Sequence, residues 1–322
     1  MKEQIRIADM MNGVRFEGFL LVKSSQQKTA QNGSKYLDMT LVDTSGEINA
    51  KMWDGTVLPP EPGKVIKLRG MVQEYNSHLQ MRADKIREST PEDGVEMDRL
   101  VPCAPRPADE MLDELLNRAN NIADRQLKEL VLRRLDEAGD KLQFVPAAVR
   151  LHHAQRSGLL NHTTTMLKGA EFICDLYPFL DRDLLAAGVI LHDLCKIEEM
   201  NTDESGLASD YTAQGNLLGH IVMGVSRLDR QGRELGVDEE LLMLLEHMIL
   251  SHHDLPEYGS PKQPMFPEAE ALHILDLLDA RMFEMKNECD KVTPGSFTER
   301  IWSLDNRKLY RRKGAPAQKS GE

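Results

Sequence analysis

AAGVILHDLCKIEE, Ala186 to Glu199, runs apolar for six residues and then turns polar at an adjacent histidine and aspartate, His192 and Asp193. A run of this kind reads as a helix buried on most sides whose polar end faces something other than hydrocarbon. Its surroundings have the same period. From Ala108 onward, segments such as MLDELLNRANNIADRQLKELVLRRLDEAG (Met111 to Gly139) place apolar residues three and four apart and stop at a glycine suited to a C-cap. Nine of the ten histidines fall between positions 152 and 273, inside this helical region.

The part before it has a different period. GVRFEGFLLV, KYLDMTLVD, EINAKMW, KVIKLRGMVQEY and LQMRADKI, between Gly13 and Ile86, alternate polar and apolar residues and are separated by the turn signals NGS, DTSG and PEPG. Five short strands in about 80 residues predict a small barrel, and the arrangement resembles the oligonucleotide-binding (OB) fold, whose second and third strands form the ligand face. On that face the candidate nucleic-acid contacts are Lys23, Lys28, Lys35, Tyr36, Lys51 and Trp53, with Tyr75, His78 and Arg82 from the later strands. Aromatic rings stack on bases while lysines meet phosphates. The competing reading is that Tyr36 and Trp53 fill the barrel and the lysines only solubilise it.

The fold class is therefore multidomain, a small all-β OB-like barrel (1–90), a Pro-rich and charged linker (91–107), an all-α domain (108–305) and a basic tail (306–322) read as solvated. With 322 residues, 41% of them hydrophobic and 29% charged, the chain can bury two cores. No run of about 18 apolar residues and no secretory signal is seen, so a cytoplasmic protein without membrane contact is expected. The four scattered cysteines form no CxxC pair and read as reduced thiols. A net charge of -12 excludes a protein that coats nucleic acid over its whole surface. The first 90 residues nevertheless carry 13 basic against 11 acidic residues, and the other 232 carry 27 against 41. Charge divides with the domains.

Within the helical part the order His162, His192-Asp193, His220, His252-His253, Asp276 combines imidazoles with carboxylates, a donor set for divalent ions. Two such ions about 3.5 to 4 Å apart can clamp both oxygens of an in-line phosphoryl displacement. Each histidine alone is more often a hydrogen-bonded core residue, and His152, His153, His247 and His273 keep that reading, with His152 and His153 as alternative pocket-lining residues.

At GLLNHTTTML, AAGVILHDLCKIEE, GNLLGHI, LSHHDLPEYGSPK, EALHILDLLDARM and KVTPGSFTERIWSLDNRKLY, between Gly158 and Tyr310, the sequence resembles the HD phosphohydrolase superfamily and, within it, the YhaM type of bacterial 3′-5′ exoribonuclease. The resemblance implies a first metal on His162, His192, Asp193 and Asp276, with His220, His252 and His253 approaching a second ion or the scissile phosphate. His192, Asp193, Lys196 and His220 are the implied catalytic set, Lys196 meeting a phosphate oxygen. Cys195 stands where the family usually has glycine, a side chain expected to narrow the pocket. No Gly-Tyr-Pro signature of cyclic-dinucleotide phosphodiesterases follows the double histidine.

The implied activity is hydrolysis of single-stranded RNA, or alternatively DNA, from its 3′ end to nucleoside 5′-monophosphates. One or two divalent ions are implied, Mn²⁺ first and Mg²⁺, Fe²⁺, Co²⁺ or Zn²⁺ as alternatives. The rivals are a phosphohydrolase of free nucleotides or cyclic dinucleotides and a non-enzymatic nucleic-acid-binding protein. A homo-oligomer is compatible with either.

Overall fold

The computed structural model describes residues 4–30, 33–75, 78–149, 153–203 and 205–314. The chain divides into two compact units, Met1–Cys103 with Asp203–Leu207, and Ala104–Thr202 with Ala208–Glu322.

In the first unit, β1 (Arg15–Thr29), β2 (Lys35–Asp43), β3 (Gly46–Met52), β4 (Val65–Tyr75) and β5 (His78–Glu88) close a barrel in the order β1-β2-β3-β5-β4. The pleat sends alternate side chains to opposite faces. Leu37, Met39 and Leu41 of β2, Ile48 and Ala50 of β3, and Ile66, Leu68 and Val72 of β4 consequently form the interior, while Tyr36, Asp38, Thr40, Asn49 and Lys51 lie on the outer side. Closure joins β3 to β5 by a parallel pairing in which Lys51 stands opposite Arg82. Asp43 accepts from Ser45 and Gly46 at the β2–β3 turn, as the DTSG signal requires.

Among the described residues of the second unit eight α-helices follow: α1 (Ala108–Asn120), α2 (Arg125–Ala138), α3 (Gly158–Leu176), α4 (Arg182–Leu191), α5 (Lys196–Glu199), α6 (Ala213–Leu235), α7 (Glu239–Ser251) and α8 (Pro267–Asp290). Asp124, Asp181, Thr212 and Asp238 cap α2, α4, α6 and α7 by accepting from the first free backbone N–H groups. The apolar α4 lies at the centre against α2, α3, α7 and α8. Two threonines, Thr163 and Thr164, pass through the buried face of α3 because each returns its hydroxyl to a carbonyl one turn back.

Two features differ from the sequence reading. A two-stranded hairpin, β6 (Met200–Thr202) with β7 (Ala208–Tyr211), interrupts the helices where the acidic, Gly-containing stretch after Glu199 breaks the helical period. The stretch after Leu304 is not a solvated tail as far as Arg311. It pairs back on residues 295–301 because Thr298 and Leu304 are buried and anchor it. The rest of the basic tail, 315–322, and His152 lie outside the described residues.

Gly70 sits at the β4–β5 register shift, where an added Cβ would lie 2.4 Å from the backbone oxygen of Arg82. Backbone cannot yield as a side-chain tip can. Gly70→Ala is predicted to destabilise the barrel by about 1–3 kcal/mol, read as a lower denaturant midpoint of the β-rich signal.

Candidate metal centre

Helix ends aim the relevant side chains. α4 stops at Leu191, so His192, still with helical backbone angles (φ -55°, ψ -42°), caps it and Asp193 lies in the turn beyond. His252 caps α7, and Asp254, with φ 63°, redirects the chain after His253. α6 is broken at Gly219 (φ 70°, ψ 160°), a conformation that side-chain-bearing residues essentially do not adopt. The break lets both the backbone N–H and Nδ1 of the next residue, His220, donate to Glu199 Oε1, at 2.9 and 3.1 Å.

Asp193 is the hub. Its Oδ2 lies 3.4 Å from His192 Nε2 and 3.9 Å from His162 Nε2, and accepts from Lys196 Nζ at 2.6 Å. Its Oδ1 faces the other way, 3.3 Å from His220 Nε2 and 3.7 Å from His252 Nε2. Asp276 of α8 spans the same two sides, with Oδ1 3.3 Å from His162 Nε2 and Oδ2 4.0 Å from His253 Nε2.

The imidazoles are turned inward by bonds on their outer nitrogens. Nδ1 of His192 donates to the Val189 carbonyl at 2.8 Å and Nδ1 of His252 to the Ile249 carbonyl at 2.7 Å. A carbonyl only accepts, so in both rings the proton is on Nδ1 and Nε2 offers a lone pair to the centre. Burial also pushes the pKa of His252 well down, keeping the ring neutral.

Charge at the centre is balanced by mutual pairing. Burial disfavours the Asp193 and Asp276 carboxylates, but Lys196 beside the first and His162 beside the second hold both well below the usual carboxylate range. Burial likewise opposes charge on His162, yet hydrogen bonds to Asp276 and Asp279 raise its pKa to about 10. These carboxylates attract positive charge, and a proton and a cation compete for it.

The residues fit a divalent cation. Asp193 Oδ1, His220 Nε2 and His252 Nε2 are buried without a hydrogen-bond partner, which costs about 1–3 kcal/mol for each such atom unless something binds there. Atoms that share one ion at about 2.0–2.2 Å stand roughly 3 to 3.5 Å apart, close to the separations of 3.3 to 3.9 Å found around Asp193 and His162. His162, His192 and Asp193 form one group able to hold an ion, and Asp193, His220, His252 and His253 form another.

An HD-domain family model matches residues 159–281, and a model of the OB-fold nucleic acid binding domain matches 14–88. The 3′-5′ exoribonuclease YhaM of Bacillus licheniformis is 39% identical over 302 residues, 93% of this chain and 95% of that protein. YhaM of Bacillus subtilis matches to the same extent, and YhaM of Listeria innocua is 39% identical over 308 residues, 95% and 97% of the two chains. The chain belongs to the YhaM family of 3′-5′ exoribonucleases. It is thus an enzyme built from an OB barrel and a helical HD domain.

In this YhaM-family chain the seven histidines and aspartates read from sequence, with Lys196, come together in one cluster. Three neighbours were not among the ligands read from sequence. Asp279 Oδ2 takes hydrogen bonds from Nδ1 of His162 at 2.7 Å and Nε2 of His153 at 2.8 Å, and the His153 ring stacks on Phe283. Glu199 holds His220. The i,i+3 spacing of Asp276 and Asp279 on α8 was the available signal for the first of them. His273 supports the carbonyl of His252 at 2.8 Å, and His247 accepts from the Met265 N–H, so both do structural work as read. Cys195 does not narrow the cluster. Its buried Sγ accepts from Arg134 of α2 at 3.4 Å, and burial pushes the thiol up to about 11.

The barrel residues divide differently. Tyr36 and Trp53 stack with centroids 4.7 Å apart, outside the barrel rather than filling it, and Trp53 is 57% exposed. Lys51 Nζ lies 5.8 Å from the Tyr36 ring centre and 5.7 Å from that of Tyr75. Lys28 and Lys23 are instead paired with Asp38 and Glu47, and Arg82 lies 3.6 Å from Asp84. Lys35 and His78 are exposed at the starts of β2 and β5.

A carboxylate behind a ligating histidine fixes the ring and raises its basicity. Asp279→Asn should therefore weaken Mn²⁺ binding about 10- to 100-fold with the circular dichroism spectrum unchanged. Calorimetric titration showing wild-type affinity would remove Asp279 from that role.

Proposed function

We propose that this protein is a cytoplasmic 3′-5′ exoribonuclease that shortens single-stranded RNA and releases nucleoside 5′-monophosphates. One observation carries the reading: the two oxygens of buried Asp193 face two separate groups of imidazoles, a two-sided arrangement suited to a phosphodiester. Family membership supports the polarity and the RNA substrate. In this reading His162, His192, Asp193 and Asp276 hold one divalent ion, Mn²⁺ first. His220, His252 and His253 stand on the side of a second ion or of the scissile phosphate. When bound, such an ion lowers the pKa of a coordinated water and neutralises phosphoryl charge.

The chain's own residues do the rest. Lys196, itself buried, keeps Asp193 ionised and places a fixed positive charge beside the phosphoryl oxygens. The side chains of His162, His192 and His252 are fully enclosed, whereas that of His253 is 23% exposed. The RNA end therefore enters from the His253 side, with His220 next in depth. On the OB barrel, Tyr36, Trp53 and Tyr75 stack on bases and Lys51 meets the backbone. Domain limits of 1–90 for the barrel and 108–305 for the HD domain separate strand holding from cleavage.

Asp193→Ala is expected to abolish hydrolysis of 5′-labelled RNA in Mn²⁺ while leaving helical content intact, because it removes both sides of the hub. Substantial turnover at unchanged metal occupancy would exclude Asp193 from the mechanism.

A stable hairpin at the 3′ end should protect a labelled strand, since paired bases cannot stack on the barrel face, whereas a 5′ hairpin should leave a product ending a few nucleotides from its stem. Protection by the 5′ hairpin alone would reverse the polarity. Internal cuts in both substrates would make the enzyme an endonuclease.

A further inference from the structure

The C-terminal hairpin of the HD unit is built inside out. Residues 295–311 fold back through Gly295 N–H to Arg311 O (2.7 Å), Thr298 N–H to Leu309 O (2.9 Å) and Ile301 N–H to Arg307 O (3.0 Å). Leu309 N–H also donates to Thr298 Oγ1 at 3.0 Å. Small or aliphatic residues, Thr298 and Leu304, point inward and are buried, yet the large rings point to solvent: Phe297 is 62% exposed, Trp302 80% and Tyr310 49%. Phe297 and Tyr310 stand side by side with centroids 5.1 Å apart. A pair of exposed rings, with Trp302 exposed on the same hairpin, marks a recognition surface rather than ordinary surface composition.

The charge around these rings identifies the occupant. Between 295 and 313 the chain places six cations, Arg300, Arg307, Lys308, Arg311, Arg312 and Lys313, against two acids, Glu299 and Asp305, in a protein whose net charge is -12. Arg307, Lys308 and Arg311 lie 3.3 to 3.9 Å from Asp305, Glu299 and Asp290, and the excess of positive charge remains. A second copy of the chain is a poor partner. A two-fold interface presents a patch to itself and would bring these cations together. A polyanion with flat faces satisfies both the rings and the cations.

Position relates the hairpin to catalysis. Ser303 Oγ donates to Glu284, and Arg281 Nη2 lies 3.5 Å from Asp305 Oδ2, which fixes the hairpin to α8. Arg281 follows Asp276 by five residues, about 8 Å of helix at about 1.5 Å per residue.

We propose that this hairpin is a second platform for single-stranded nucleic acid, stacking bases on Phe297, Trp302 and Tyr310 while their 3′ end lies in the metal centre. The inference rests on the exoribonuclease reading for the identity of the strand. It adds a binding site on the HD unit itself, separate from the barrel face.

The test uses the full-length protein and its variants Trp302→Ala, Phe297→Ala with Tyr310→Ala, and Arg300→Ala with Arg312→Ala. Binding of a long unstructured RNA is measured by fluorescence anisotropy in the presence of a chelator, so that it does not depend on turnover. Turnover of a dinucleotide, too short to reach the platform, is measured with Mn²⁺. Each aromatic variant should weaken long-strand binding about tenfold or more, as loss of base stacking implies. The double arginine variant should flatten the logarithmic salt dependence by about 0.7 per charge removed. Dinucleotide turnover should stay at the wild-type level. Wild-type affinity in the aromatic variants would overturn the platform. So would a weakened variant whose sedimentation mass also falls, because the face would then belong to an interface between copies. Failure of the wild-type enzyme to degrade RNA would count against the exoribonuclease reading, and the chelated binding measurement would still report on the hairpin separately.

Discussion

Two carboxylates, Asp193 and Asp276, are held ionised where water is excluded, and the architecture of the helical unit follows from that requirement. A buried anion costs several kcal/mol unless opposite charge and hydrogen bonds surround it. No single helix can supply such a shell. α3 brings His162, the end of α4 brings His192, the break in α6 brings His220, the end of α7 brings His252, and the turn into α5 brings Lys196. Every contributor except His162 and the α8 aspartates sits where a helix ends, begins or breaks.

A further ring of atoms then decides which atom of each group faces inward. Val189 and Ile249 carbonyls, Glu199 and Asp279 occupy the outer nitrogens of four imidazoles and leave the Nε2 atoms directed at the centre. This selects the inner nitrogen by hydrogen bonding instead of by metal occupancy, so the site is aimed before any ion arrives. The barrel applies a comparable division in simpler form. Its pleat puts Leu37, Met39 and Leu41 inside, and the outer side keeps a polar chain from Asp38 through Asn49 to Gln80 beside the Tyr36–Trp53 stack.

Much of this was legible before any coordinates. Alternation of period two in residues 13–86 and of helical period beyond 108 announces two architectures, and the order of imidazoles and carboxylates announces their convergence. Asp279, His153 and Glu199 were given no supporting role because such roles depend on which face of α8 or α5 meets a histidine from another helix, a tertiary fact. Trp53 was ambiguous for a related reason: a residue that ends a strand has no fixed inside. The segment after Leu304 misled by composition. Its cations suggested solvation, while two anchors, Thr298 and Leu304, are enough to fold it back.

The last carboxylates of the metal centre lie on α8, the final long helix, and this has a consequence for biosynthesis. Domains fold from the N-terminus as the ribosome delivers them, so the barrel is complete while the HD unit is still being made. A nascent chain that has emerged only as far as His253 holds every histidine of the cluster but neither Asp276 nor Asp279. In the proposed activity, a ribosome-bound chain holds RNA on its barrel before the carboxylates of α8 are made and it can cut.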